Sequence, residues 1–137
     1  MFKSKVVTSL LIAISLLGCA TLENLGKTPE EIVASRAEAR WRALIAGDLE
    51  TAYGYLTPGY RSVKSFERYR SRIKGVGVWK DVKVESVSCK GDNCEADVRV
   101  YARFMHPRMV KPLDTDELIK EGWLYDEQED NWFFVAE

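Results

Sequence analysis

Cys89 and Cys94 stand with four residues between them in SCKGDNCEA, while Cys19 stands alone near the N-terminus, so any disulfide leaves one thiol over. Gly91, Asp92 and Asn93 lie between the pair. They favour a tight turn, glycine by tolerating positive φ and the other two by bonding their side chains to the backbone. The flanks VKVESVS and EADVRVYARF alternate apolar and polar as half-buried strands do. The spacing predicts a hairpin clamped by a Cys89–Cys94 disulfide, whose six-residue loop is worth roughly 2 kcal/mol in the chain-entropy model. A metal site is the competing reading. Tetrahedral zinc needs three or four Cys, His or carboxylate ligands, and His106 is the chain's only histidine. No metal and no cofactor is expected.

The surroundings of Cys19 are of another kind. Lys3 and Lys5 precede an apolar run, Val6 to Leu17, broken only by Thr8, Ser9 and Ser15, with small residues at Gly18 and Ala20. This is the layout of a secretory signal peptide. A membrane-spanning helix needs roughly 20 apolar residues, and here Glu23, Asn24 and Lys27 follow the run almost at once. Leu16-Leu17-Gly18-Cys19 resembles the lipobox of bacterial lipoproteins, with leucine three positions before the cysteine and a small residue just before it. Leu17 departs from the commoner choice at its position. The resemblance implies that the Cys19 thiol carries a diacylglyceryl group, that residues 1–18 are removed, and that the new N-terminus is acylated. An ordinary signal peptide cut elsewhere, with Cys19 a free thiol, is the alternative. Two or three acyl chains at about 0.8 kcal/mol per buried methylene anchor stably where one is marginal. Because Ala20 is not aspartate, the same resemblance implies a bacterial envelope address at the outer membrane, facing the periplasm.

Removing residues 1–18 from the 137 leaves 119, one domain by length. Of the 20 basic residues Lys3 and Lys5 are lost, leaving 18 against 21 acidic ones, a net charge of −3 that gives no reason to expect nucleic acid. Hydrophobic residues at 46% and aromatics at 11% are enough for a packed core and argue against disorder.

The elements that must position these residues are punctuated clearly. Residues 19–27 form a short lipidated tether, and a single domain occupies 28–137. Thr28 as N-cap, Pro29 at the first helical position and Glu31 closing a capping box start a helix that Gly47 ends. Val33, Ala37, Trp41, Leu44 and Ile45 share one face of it, with Arg36, Glu38, Arg40 and Arg42 placed elsewhere. A short second helix starts at Asp48, runs through LETAYGYL and stops before Pro58-Gly59, and a third is SFERYRSRI capped by Ser65. From Trp79 the period changes to two, predicting strands near 78–88, 95–105, 117–125 and 132–136. HPRMVKPLDTD, with two prolines, reads as a loop between the middle strands. Helices followed by antiparallel strands predict an α+β fold, the N-terminal helices packed on a curved sheet of about four strands.

The segment RWRALIAGDLETAYGYLTPGYR resembles the opening of nuclear transport factor two-like domains, a cone-shaped fold shared with ketosteroid isomerases and polyketide cyclases. The Gly47-Asp48 turn, the helix carrying Tyr53 and the closing hairpin GWLYDEQEDNWFFV support the likeness over Pro29 to Glu137. It implies a pocket at the wide end of the cone. Pocket candidates are Trp41, Tyr53, Tyr55, Tyr60 and His106, with Trp79 and Trp123 as further aromatics.

Such a fold does not choose its function. In the enzymes of the superfamily an Asp or His base and Tyr donors work inside an apolar pocket, where burial tunes their pKa values. Tyr53, Tyr55, Tyr60, Arg103 and His106 are the residues available here. His106, next to Pro107 at a strand end, fits a rim or turn, and few strand acids point inward: Asp97 lies opposite Val98, Val100 and Phe104. No catalytic residue is assigned. A non-enzymatic role is expected, either binding a small apolar ligand or docking to an envelope protein or a second copy; a small acid/base enzyme and a purely structural component are the alternatives. Arg61, Lys64, Arg68, Arg70, Arg72 and Lys74 form a basic block around the single acid Glu67, and residues 114–130 hold eight acids against Lys120. Opposed blocks can steer a partner or be solvated faces. The lipid reading has a direct check. Metabolic labelling with palmitate should mark the wild-type chain and not Cys19→Ser; label retained by the variant would remove the anchor.

Overall fold

A computed structural model describes residues 24–137. The expected signal peptide, Cys19 and the start of the tether lie outside the described residues. Four helices come first and four strands after them, an α+β order in which the helices pack on one antiparallel sheet.

The long helix α1, Pro29–Ala46, is closed at both ends by local chemistry. The Thr28 side chain accepts from the Glu31 amide at 3.2 Å, and the Glu31 carboxylate accepts from the Thr28 amide at 2.9 Å. These bonds satisfy two of the amides that every helix start leaves orphaned. Gly47 ends the helix at φ +76°, where only glycine avoids a Cβ penalty. Asp48 then caps α2, Leu49–Gly54, and Ser65 caps α4, Phe66–Arg72. Between them lies α3, Pro58–Val63, in a stretch expected to be non-helical after Pro58-Gly59. Proline does not break this helix because it sits in the first turn, behind the N-cap Thr57, where its missing N–H has no helical partner to lose.

The sheet is a meander in the order β1–β2–β3–β4, with β1 Trp79–Lys90, β2 Asn93–Phe104, β3 Leu113–Asp126 and β4 Asn131–Val135. Two strands begin earlier than their apolar alternation suggests. β3 starts at Leu113 because Asp114 pairs with Arg103 and Asp116 with Arg99 across the outer face, so charge extends the ladder. β2 starts at Asn93 because the hairpin turn is only Gly91-Asp92, with glycine at φ +59° in the first turn position. Cys89 and Cys94 face each other just inside that turn, Cα atoms 4.0 Å apart and the sulfurs at disulfide distance.

The free edge of β4 is covered by the chain itself. The Thr57 amide donates to Phe134 O at 3.2 Å and the Phe134 amide to Tyr55 O at 2.8 Å, a short parallel bridge that occupies edge groups otherwise open to another strand. The core lies between α1 and the inner sheet face. Val33, Ala37, Trp41 and Leu44 of the helix meet Val82, Ala96, Val98 and Trp123 of the strands. Replacing Cys89 and Cys94 together by Ser should lower unfolding free energy by roughly 2 kcal/mol. Chemical denaturation of wild type and variant checks this; an unchanged midpoint would show that the bridge does not form.

Candidate functional site

An arginine and a glutamate are the buried charged-type side chains among the described residues, and both lie on the helix–sheet interface. Arg40 sits one turn from Ala37 and Leu44 on the stripe α1 turns inward, and it is 6% exposed. Its expected placement off the apolar face was therefore incorrect. Glu121 alternates with Ile119 and Trp123 on the inner face of β3 and is 2% exposed. Neither was among the expected site residues, and Glu121 is the one acid buried on a described strand. The signal for both was present. Each falls at the period of its element, with apolar residues on either side.

Glu121 is held by three donors. Arg40 Nη1 donates to its Oε1 at 2.8 Å, Trp41 Nε1 to the same oxygen at 2.6 Å, and Trp123 Nε1 to Oε2 at 3.2 Å. The guanidinium also lies 3.6 Å from the centroid of the Phe134 ring, in cation–π range. Two polar atoms here have no partner: Arg40 Nε and the Tyr69 hydroxyl, each fully buried. Burial pushes the Tyr69 phenol above its ordinary value, and the adjacent Arg40 cation opposes the shift without forming a hydrogen bond that meets normal geometry. At and below neutral pH the hydroxyl is therefore a protonated donor.

Arg40 and Tyr69 are among the residues that line one cleft of about 350 Å³ between α4 and the sheet. Leu56, Ile73 and Phe134 form apolar wall, and Arg72, Lys120 and Glu137 stand along it. A second recess of about 330 Å³, at the far ends of β2 and β3, is lined by Trp79, Val100, Phe104 and Glu117. No buried side-chain atom among the described residues is left unpartnered there.

The expected pocket residues scatter. Tyr60 lines the cleft. Trp41 is core, its ring 5.2 Å from Trp79 and its indole spent on Glu121. Tyr53 is structural: its hydroxyl donates to Lys64 O at 2.6 Å and reaches Arg61 O at 3.2 Å, tying α2 to α3, while its ring lies 5.4 Å from Tyr69. Tyr55 faces a different recess beneath the Arg36 guanidinium. His106 is exposed in the β2–β3 connection, where Nδ1 accepts from the Arg108 amide at 3.2 Å. It is not among the residues that line the cleft.

The charge blocks are less one-sided than their sequence suggests. Arg70 pairs with Glu67 at 2.7 Å, and Arg61 Nε donates to Leu56 O at 3.0 Å, while Arg68, Arg72 and Lys74 form no ion pair among the described residues. On the acidic side Asp114 and Asp116 are paired across the sheet, Glu121 is buried, Asp126 accepts turn amides and Asp130 accepts from Tyr125. Exposed pairs of this kind are worth little individually, but they leave fewer free acids to steer a partner. Among the described residues no cluster of three His, Cys, Asp or Glu could hold a metal, and no helix is long and apolar enough to cross a membrane.

No protein-family model matches the chain, and no curated protein matches its sequence. Two solved structures do share the fold. One is the solution structure of a SEC-C motif containing protein from Rhodopseudomonas palustris, at TM-score 0.53 and 14% identity over 74% of this chain and 73% of that one. The other is the crystal structure of a SEC-C motif containing protein from Psychrobacter arcticus, at TM-score 0.59 and 10% identity over 83% of this chain. The match spans 65% of that second protein. At such identities the likeness shows the fold alone.

The buried cluster makes an ordered prediction. Arg40→Met leaves an uncompensated carboxylate that still holds two indole donors. Glu121→Leu leaves a bare buried cation and two orphaned indoles. Losing one partner of a buried pair costs about 3–5 kcal/mol, so both should destabilise by that order, Glu121→Leu the more. The double variant should recover part of the loss but not all, since the indoles still lack an acceptor. Equal midpoints for wild type and Glu121→Leu in denaturant titrations would refute the cluster.

Proposed function

We propose that the chain is a bacterial envelope lipoprotein, anchored through Cys19 to the periplasmic face of the outer membrane, whose domain binds a small ligand in the α4–sheet cleft without chemistry. The lipobox resemblance supports the address, and the resemblance to the cone-shaped domains supports a pocket in the domain. The observation that carries the binding reading is the cleft itself. It is about 350 Å³, with Leu56, Ile73 and Phe134 as apolar wall and Tyr60, Arg72 and Lys120 as polar groups along it. Ligand sites are typically concave and mostly apolar, with few polar groups that set orientation.

An acid/base enzyme needs a carboxylate or imidazole free to take a proton from substrate within hydrogen-bond reach. Glu121 has its oxygens committed to Arg40, Trp41 and Trp123, which suits positioning, and His106 is remote. A protein-assembly role is favoured by one separate feature. Phe104, Met105, Val110 and Leu113 are large, apolar and exposed around the β2–β3 connection.

Native mass spectrometry of Thr21–Glu137, exported without the lipobox, separates these readings. The expected spectrum shows a monomer with a reproducible extra mass released on denaturation. A clean monomer mass would overturn the ligand reading, and a dimer without ligand would transfer the function to self-assembly.

A further inference from the structure

The chain from the end of β2 to the start of β3 holds large apolar side chains in the open: Phe104, Met105, Met109, Val110 and Leu113. Val110 is 96% exposed and Met105 66%. So much hydrocarbon in so short a stretch marks a contact surface. The charges set among these residues narrow what it contacts. Arg108 and Lys111 are exposed and form no ion pair among the described residues, and no acid occurs from Phe104 to Leu113. Asp114, the first acid beyond, is already paired with Arg103 at 2.6 Å.

A protein partner fits this composition poorly, since the cores of protein interfaces are depleted of charge and of lysine in particular. A bilayer surface fits it well. Apolar side chains can enter the boundary between headgroups and acyl chains while the cations beside them stay among anionic headgroups. The backbone suits the same place. A segment entering the interface should leave few amides in need of water. Pro107 and Pro112 have no N–H to satisfy. The Met109 amide donates to His106 O at 2.8 Å, and the Arg108 amide donates to His106 Nδ1 at 3.2 Å.

We propose that the β2–β3 connection is a second membrane contact, in which Met105, Met109 and Val110 enter a bilayer interface while Arg108 and Lys111 meet its anionic headgroups. This contact lies outside the cleft and needs the Cys19 anchor only for the membrane it meets. Together the two attachments would fix how the domain lies. Asn24 and Leu25 line a recess with Tyr125 and Trp132, at the opposite end of the sheet from the connection. Between those ends runs β2, whose 12 residues at about 3.3 Å each cover roughly 40 Å. The stretch from Cys19 to Asn24 reaches at most about 18 Å. An anchored domain therefore brings the connection to lipid by lying along the surface, not by standing on its tether.

Thr21–Glu137 contains every described residue and no acyl chain, so its binding reports on the protein surface alone. It would be floated with vesicles of phosphatidylcholine alone and of phosphatidylcholine with an equal part of phosphatidylglycerol. Binding to the anionic vesicles should be about tenfold or more tighter than to the neutral ones, and should weaken in high salt. Arg108→Gln and Lys111→Gln should each weaken it about fivefold, and Val110→Glu about tenfold or more. All three side chains are exposed. Melting temperatures should therefore match wild type, which separates a lost contact from misfolding. No binding to either vesicle would overturn the proposal, as would binding that Val110→Glu and Met105→Glu leave intact. Equal binding to both vesicles would overturn it too, by removing the headgroup contact. A doubled mass in solution that Val110→Glu abolishes, without vesicle binding, would assign the patch to a second copy instead. The anchor stands or falls separately, on palmitate labelling of Cys19.

Discussion

A carboxylate moved from water into a protein interior must recover several kcal/mol of lost hydration from its new neighbours. Glu121 does so by drawing on two separate elements, Arg40 and Trp41 from α1 and Trp123 from its own strand β3. Much of the arrangement of the domain follows from that requirement. The helix cannot slide along the sheet by a turn, or rotate about its axis, without stranding either the charge or an indole. Apolar contacts between Val33, Ala37, Leu44 and the valines of the sheet supply the bulk of the attraction, but hydrocarbon surfaces slip past one another at small cost. The directional bonds select one register. Whether the pair adds net stability over an apolar substitute is a separate matter, since buried ion pairs often do not.

The same constraint shapes the cleft. Holding Glu121 fixes the Arg40 side chain, and Arg40 is one of the residues that line the cleft beneath α4. Phe134 packs against the cation, and the Leu56 segment that pairs with β4 closes the cleft from one side. Tyr69 reaches the same space from α4 because Ser65 starts that helix where it does, and the nearby Tyr53 fastens the chain between α2 and α3 to hold it there. A cleft with an apolar wall beside a fixed guanidinium thus arises as a by-product of how the helix is held.

Neighbouring folds place a limit on what analogy can add. The SEC-C motif containing proteins share the architecture at 14% and 10% identity, a range in which side chains in a cleft are not expected to correspond. Function is carried by the residues of the site rather than by the order of elements. Here the cleft is lined by Leu56, Ile73 and Phe134 with Arg72, Lys120 and Glu137 alongside, and the Glu121 carboxylate is taken up by Arg40, Trp41 and Trp123.

Local physics made much of this chain readable in advance. The capping box at Thr28 and Glu31, the glycine that ends α1, the period-two strands and the turn between Cys89 and Cys94 are all interactions within a few residues, so their patterns appear in the sequence and the structure repeats them. The α+β order followed from the same signals. The lipobox resemblance is likewise local, although Cys19 lies outside the described residues. What the sequence alone did not decide is where charges go when two elements meet. Arg40 and Glu121 are 81 positions apart, and each looks like one solvated charge among many until helix and sheet are brought together. Tyr53, Tyr55 and Tyr60 looked equivalent for the same reason, yet packing sent one to a backbone tie, one to another recess and one to the cleft. Hydrogen bonds across the helix–sheet interface depend on distances that no short window of residues contains, so only the tertiary structure could make the site.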